Sequence, residues 1–331
     1  HDERDQYYRN KSVFHVIHHD TLKLGLYDRS KEKLIAVEHF VLSDLVTNKF
    51  LKILNNASFD IEKNKLKHVV FRTNQEGNIL ITFVSNQPLV KGLDDIVLRL
   101  KKEPEVVGIT LNINDSNKYI LGKKSIVLYK EKVIVERLNS IDIPINDRSF
   151  FQVNLPVIKK AYQIIKDDMN DKDIVLDAYS GIGSIGYYIM DKVQKVIMVE
   201  SNEQSVLLAN QIKDKYQIDK VDIFKQQAEM FNENIAFNKV IVDPPRNGLM
   251  PTFIDYLTER KPETIYYLSC DVKTLSRDIA LMKDTYDIHE VYPIRLFPHT
   301  TSLESLVILH IKNKQSAIAY FSFTNMLYIF S

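Results

Sequence analysis

The first part of the chain alternates apolar and polar positions in short runs, which is the period of half-buried β-strands. Two longer stretches repeat apolar residues every three or four positions and predict helices, one capped by Ser43 and ending near Asn55, the other following Pro88. This mixture predicts a small α+β domain. The strands predicted in it are Val13–Ile17, Lys23–Tyr27, His68–Arg72, Ile79–Val84, Ser125–Tyr129 and Val133–Arg137.

The pattern changes near residue 147. From there on, short apolar strands are separated by helix-length segments, a rhythm typical of a parallel, doubly wound α/β sheet with ligands at the carboxyl ends of its strands. We therefore expect one domain over residues 1–147, a second over 148–314 and an uncharged tail over 315–331. The strands predicted in the second domain are Ile174–Asp177, Lys195–Glu200, Lys239–Asp243 and Thr264–Ser269.

Composition narrows the class of protein. The 331 residues are 45% hydrophobic and 26% charged, which excludes disordered and collagenous chains. The formal net charge of +1 means that a nucleic-acid partner must be held by a local basic surface. A single cysteine excludes a disulfide framework and a cysteine-rich metal site within this chain, and it favours a reducing compartment, the cytoplasm. The tail is too short and too polar to cross a bilayer, so we expect no membrane partner.

A glycine-rich turn follows the first strand of the second domain. Gly181, Gly183 and Gly186 permit a tight turn and close approach of a ligand to a helix N-terminus. Glu200 ends the next strand, where a carboxylate can accept both hydroxyls of a ribose. The glycine spacing also fits NAD. Asp177, just before the turn, suits a cationic amino group better than a pyrophosphate, which favours S-adenosylmethionine; a turn without a ligand is the third interpretation.

Chemically reactive side chains end the later strands. Asp243 precedes two prolines, which fix the backbone and project its carboxylate toward the crevice. Cys270 ends another strand where a helix begins, and a helix N-terminus with Lys273 or Arg277 nearby would favour the thiolate and make it a nucleophile. The alternative for Cys270 is a small buried core residue. Glu304, before an apolar run, reads in isolation as a surface carboxylate.

Together these motifs resemble the RNA uracil-5-methyltransferase family, especially its members that act on 23S ribosomal RNA. The similarity extends over about residues 7 to 312. It implies an α/β fold in which a doubly wound, Rossmann-like S-adenosylmethionine methyltransferase domain follows a smaller mixed α+β domain that contacts RNA. The matching motifs are Phe150-Phe151-Gln152-Val153-Asn154, the Asp177–Gly183 turn, Glu200, Asp243-Pro244-Pro245-Arg246, Ser269-Cys270 with Thr274-Leu275 and Arg277-Asp278, and Phe297-Pro298 with Glu304.

The resemblance also implies roles for individual residues. Cys270 is the expected nucleophile and Glu304 the expected general base, while Gln152, Asp243 and Arg246 are expected to bind the uracil. No metal ligands are expected. The residues expected to contact S-adenosylmethionine are Gln152, Tyr179, Gly181, Gly183, Ser184, Glu200 and Asp243.

Departures from the family pattern shape the remaining expectations. Ser184 and Gln227 stand where the family often has Asn or Asp, and Phe40 stands where the last cysteine of an iron–sulfur cluster falls in many members. We therefore expect a cluster-free member without the N-terminal RNA-binding barrel, and a chain that belongs to a longer protein.

The expected partner is RNA, with 23S ribosomal RNA as the first candidate and transfer RNA as the alternative. A non-catalytic RNA-binding relative is the interpretation from another functional class. The expected assembly is a monomer. Basic segments such as Lys63–Lys67, Arg99–Lys102 and Lys123–Lys124 are candidates for phosphate contacts, or solvated faces.

Overall fold

A computed structural model describes residues 5–18, 21–28, 30–116, 118–131 and 133–312. Its first half contains a seven-stranded sheet in the order β3-β2-β1-β4-β5-β6-β7, in which every neighbouring pair is antiparallel except the parallel pair of β5 and β6. The strands are β1 (Lys11–His18), β2 (Leu22–Asp28), β3 (Lys33–Ala36), β4 (Leu66–Thr73), β5 (Ile79–Ser85), β6 (Val106–Ile113) and β7 (Lys124–Lys130).

Two helices, α1 (Leu45–Asn56) and α2 (Leu93–Leu100), cover one face of this sheet and form a core with it. The predicted cap residue of α1 is wrong by one position. Asp44 caps the helix, because its carboxylate accepts the Thr47 amide at 2.8 Å, whereas the Ser43 hydroxyl lies 2.6 Å from that of Ser12 in the interior.

A two-stranded hairpin, β8 (Val133–Leu138) and β9 (Ile141–Asn146), follows the first sheet. Its apolar side chains, Ile143 among them, share a core with α3 (Leu155–Asp167) of the second half. The hairpin therefore packs on the residues that follow it, and a domain boundary near residue 147 stays a prediction.

The second half contains another seven-stranded sheet, in the order β12-β11-β10-β13-β14-β16-β15. Its first five strands are parallel, and β16 pairs antiparallel with both β14 and β15. The strands are β10 (Ile174–Ala178), β11 (Lys195–Glu200), β12 (Val221–Lys225), β13 (Lys239–Val242), β14 (Thr264–Ser269), β15 (Tyr286–Ile294) and β16 (Glu304–Ile311).

Helices connect the parallel strands and leave two hydrophobic cores, one containing Leu268 and the other Tyr267, so successive residues of β14 face different cores. Both faces of the sheet are therefore covered, as a doubly wound fold requires, and the predicted fold class is confirmed. The connecting helices are α3, α4 (Ser184–Ile189), α5 (Glu203–Lys215), α6 (Pro251–Arg260) and α7 (Val272–Met282), with a 3-10 turn at Ala228–Met230.

Within the described residues, the helices are too short or too polar to cross a membrane. The predicted tail over 315–331 lies outside the described residues.

Candidate active site

The glycine-rich turn joins β10 to α4. Asp177 near the end of β10 is buried, and its Oδ2 accepts the Gly186 amide at 3.0 Å, which ties the strand to the helix. Tyr179, Gly181 and Gly183 all have positive φ, at 61°, 57° and 84°. A left-handed backbone at three of five positions folds the chain back sharply, so the turn leaves open space beside Gly181.

Glu200 at the end of β11 fixes this turn from the neighbouring strand. One of its carboxylate oxygens accepts the Gly181 amide at 2.9 Å, and the other accepts the Asn202 amide at 2.6 Å. Both bonds orient the carboxylate at the carboxyl edge of the sheet, where the sequence predicted a ribose contact.

Asp243 follows β13 and meets Gln152 from the loop before α3. Gln152 donates from Nε2 to Asp243 Oδ2 at 3.2 Å, and the backbone carbonyl of Gln152 accepts Asn10 Nδ2 at 3.0 Å. An amide paired with a carboxyl offers both donors and acceptors, which is the pattern needed to recognise the edge of a uracil.

Cys270 lies directly after β14, half-buried, and α7 begins two residues later with Asp271 as its cap. Burial and the nearby Glu304 raise the pKa of the thiol, and Arg246 opposes that shift. The role of Lys273 or Arg277 in favouring the thiolate stays a prediction. Arg246, from the loop after β13, is the main cation that lowers this pKa, whereas Lys273 is exposed and Arg277 is paired with Asp278 at 2.7 Å.

Glu304 is the first residue of β16 and is only 7% exposed, so it is not a surface carboxylate. The register pairs its neighbour Ser305 with Ser269, which brings Glu304 next to the end of β14 and Cys270. Burial and Asp243 raise the pKa of Glu304 to about 8, with Arg246 opposing them.

A single cavity of about 1080 Å³ joins these elements. Every predicted site residue lines it except Gly183, which starts α4 and faces Met198 and Tyr187. The lining residues among those predicted are Gln152, Tyr179, Gly181, Ser184, Glu200, Asp243, Arg246, Cys270 and Glu304. The roles assigned to all ten residues stay predictions.

Two lining residues were missed as candidates. Phe150 is 70% exposed beside the cavity and offers a ring to a base, and its place in the Phe150–Asn154 motif was the available signal. Glu229 accepts the Tyr179 hydroxyl at 2.7 Å, but nothing in its local sequence distinguishes it.

The cavity is acidic. Burial raises the pKa of Asp177 to about 8 and that of Asp243 to about 7, and Glu304 belongs to the same group. A cation entering the cavity would favour the ionised forms of these carboxyls, whereas a pyrophosphate would raise their pKa values further. The residues therefore fit a ligand that has an amino group and a sulfonium, and the NAD interpretation of the glycine spacing is disfavoured.

Known proteins similar to this chain include RNA methyltransferases. The tRNA (Uracil-5-)-methyltransferase family model matches residues 1–312. An RNA methyltransferase of Staphylococcus epidermidis is 31% identical over 329 residues, which cover 93% of this chain and 72% of that protein. A second, from Prochlorococcus marinus, is 33% identical over 324 residues, covering 92% of this chain and 77% of that protein.

A similar solved structure is the tRNA (uracil-54, C5)-methyltransferase of Pyrococcus abyssi in complex with S-adenosyl-L-homocysteine. It superposes with a TM-score of 0.76 over 93% of this chain and 77% of that chain, at 22% identity. At this identity the likeness shows the fold.

Proposed function

Because the chain belongs to the tRNA (uracil-5-)-methyltransferase family, we propose that it methylates carbon 5 of a uridine in RNA through a covalent adduct on Cys270. Membership confirms the predicted family and enzyme class, an RNA methyltransferase. The observation that supports the finer proposal is the shared cavity, in which Cys270 and Glu304 face the glycine-rich turn.

Cys270 performs the first step. Carbon 5 of uracil is a weak nucleophile, and attack of the Cys270 thiolate on carbon 6 forms an S–C6 bond and moves the ring electrons toward carbon 5 and O4. Arg246 favours the thiolate, because its positive charge lies close enough to oppose the upward pKa shift of Cys270. S-adenosylmethionine supplies the methyl group as an electrophilic carbon on a sulfonium, which leaves as a neutral thioether.

Glu304 performs the last step. Its carboxylate removes the proton from carbon 5, the double bond re-forms between carbons 5 and 6, and the Cys270 sulfur leaves with the electrons of the S–C6 bond. A pKa near 8 makes Glu304 a stronger base than an ordinary carboxylate, and a cation bound nearby would favour its ionised form.

The remaining residues bind and orient. Asp177 and Glu200, which the hydrogen bonds to Gly186 and Gly181 hold at the turn, would bind the cationic and ribose parts of the methyl donor. Gln152 and Asp243, bonded to each other, would bind the uracil edge. Because the site lies inside a cavity, the uridine must leave its stack, at a cost of a few kcal/mol.

We assign 23S ribosomal RNA as the first candidate target, on the motif resemblance. Transfer RNA is the second, favoured by the activity of the similar Pyrococcus abyssi enzyme. We further propose that the chain acts in the cytoplasm as a monomer.

The test is release of tritium from carbon 5 of labelled uracil when S-adenosylmethionine is added. Unmodified 23S ribosomal RNA and bulk transfer RNA are assayed in parallel, with Cys270→Ala as the control. Release from one pool that is lost in the variant supports the chemistry and identifies the target. No release from either pool, with the methyl donor bound, contradicts the proposal and indicates a non-catalytic RNA-binding relative.

A further inference from the structure

A second pocket, of about 270 Å³, lies beside the active-site cavity. It opens between β6, β7 and the end of the β8–β9 hairpin. Arg148 lines both this pocket and the catalytic cavity, so the two are adjacent. The smaller pocket contains none of the residues placed in the chemistry above.

Its rim is basic. Lys123, Lys124 and Arg148 line it and are exposed, and among the described residues none of the three is paired with a carboxylate. Thr110 and Asn146 also line the pocket, but the Thr110 hydroxyl is bonded to that of Thr82 at 2.8 Å and Asn146 Oδ1 accepts backbone amides. The unpaired cations are therefore the groups that can bind a phosphate oxygen.

One carboxylate, Asp147, also lines the pocket, and its charge is already compensated. Its Oδ2 accepts the Ser125 hydroxyl at 2.5 Å, and it acts electrostatically on both Lys11 and Arg72 of the first sheet. Asp147 therefore interacts with groups inside the protein, and in the pocket lining it stands against three exposed cations, Lys123, Lys124 and Arg148.

Arg72 does not line this pocket, but it interacts electrostatically with Asp147, which does. It is 2% exposed, and its Nε and Nη1 atoms have no hydrogen-bond partner among the described residues. A buried guanidinium with two unused donors is costly unless an anion lies nearby. Burial lowers the pKa of Arg72 to about 10, and Asp147 opposes that shift.

A rigid segment joins this pocket to the uracil site. Asn146 Oδ1 accepts the amides of Arg148 and Ser149 at 2.9 and 2.8 Å, and Arg72 Nη2 donates to the Ser149 carbonyl at 2.7 Å. Gln152, which contacts Asp243, follows three residues after Ser149. The distance between an anion in the pocket and a base in the cavity is therefore fixed by the fold.

We infer that this pocket, formed by Lys123, Lys124 and Arg148, binds one phosphate of the RNA strand that carries the target uridine. This inference rests on the proposed function, because it takes RNA as the substrate. A backbone phosphate held here would anchor the strand while the flipped uridine enters the neighbouring cavity.

The chain offers a matched control. Lys101 and Lys102 form another exposed basic pair, at the end of α2, and they line neither pocket. The variants Lys123→Gln/Lys124→Gln and Lys101→Gln/Lys102→Gln remove the same charge from the two places. Affinity for S-adenosylhomocysteine, measured by calorimetry, verifies that both variants are folded.

The experiment measures the equilibrium affinity for unmodified 23S ribosomal RNA and for bulk transfer RNA over a series of salt concentrations. For at least one RNA, the pocket variant should bind about tenfold more weakly, and the slope of log affinity against log salt should decrease by about one, the value for one lost phosphate contact. The control pair should bind as the unaltered protein does.

Equal weakening by both variants would overturn the inference, because it would indicate a diffuse basic surface. Unchanged binding by the pocket variant to both RNAs would overturn it as well. Since binding is measured without methyl transfer, a protein that binds RNA through the pocket but releases no tritium would contradict the proposed activity and leave this inference supported.

Discussion

The two halves of the molecule place acidic groups in one cavity and basic groups in the pocket beside it. The second sheet ends in buried carboxylates, Asp177, Asp243 and Glu304, in a cavity suited to a cation. The first sheet and the hairpin after it contribute a pocket lined by the exposed cations Lys123, Lys124 and Arg148, which suits an anion. The two neighbouring cavities therefore suit ligands of opposite charge.

Strand direction explains why the proposed catalytic residues lie in the second half. In the parallel part of the second sheet all carboxyl ends meet at one edge, so residues distant in sequence converge there. The first sheet is almost entirely antiparallel, and its strand ends alternate between the two edges. The first sheet therefore contributes residues from one of its faces and from the loop that follows the hairpin.

The largest expected effect is loss of turnover when the nucleophile is removed from the acidic half. Cys270→Ala should lower methylation by at least about 10³-fold, because no other group can activate carbon 5. Affinity for the methyl donor and for RNA should stay within a few-fold, since the charges of both halves are unchanged. Single-turnover kinetics with binding titrations measure this. Retained turnover would contradict the role of Cys270.

The second effect separates the two steps inside the cavity. Glu304→Gln keeps the shape of the side chain but removes the base, so methyl transfer should proceed and proton removal should slow by about 10² to 10⁴-fold. A protein–RNA adduct that survives denaturant should accumulate, visible as a shifted band on a denaturing gel. With methyl donor and RNA both bound, a lack of adduct would contradict the assignment of Glu304.

The comparison of the halves also indicates what could be predicted from the sequence. Strands that end in a distinctive turn, such as β10 before Gly181 and β13 before Asp243, were found because local composition specifies them. β15 was missed because this edge strand is mostly exposed and has no apolar period, and β9 because Pro144 interrupts it.

The electrostatic surroundings of Cys270 and Glu304 were harder to predict from the sequence. Proximity along the chain suggested Lys273 and Arg277 as partners of Cys270, but Arg246 from the loop after β13 is the main cation that acts on its pKa. The burial of Glu304 arises from antiparallel pairing of β16 with β14, a long-range contact that an apolar run does not specify.

A third prediction tests the buried carboxyl group of Asp177. The pKa of Asp177 is raised from 3.8 to about 8 in the folded protein, so the fold favours its protonated form, and the stability of the ligand-free protein should fall as pH rises from about 4 to 8. Asp177→Asn stays neutral and should therefore melt higher than the unaltered protein at pH 8, with the difference vanishing near pH 4.

The same variant should bind S-adenosylmethionine about 10- to 100-fold more weakly, because a charge-assisted contact is lost. Melting curves over pH and calorimetric titrations provide both values. Two results would contradict this interpretation of Asp177: a variant that is less stable than the unaltered protein at pH 8, or one that binds the methyl donor normally. Either would mean that the buried carboxyl does not both lower the stability of the ligand-free protein and bind the cation.

The smallest expected effect compares two helix caps of the same chemistry, one in each half. Asp44 caps α1 through the Thr47 amide, and Asp271 caps α7 through the Lys273 and Thr274 amides. Replacing either with Ala should cost about 1 kcal/mol of unfolding free energy. Since α7 begins next to Cys270, only Asp271→Ala should also lower kcat. Denaturant unfolding measures the stability of both variants, and steady-state kinetics measure their kcat. If Asp44→Ala lowered kcat as much as Asp271→Ala, the first sheet would position the catalytic groups directly.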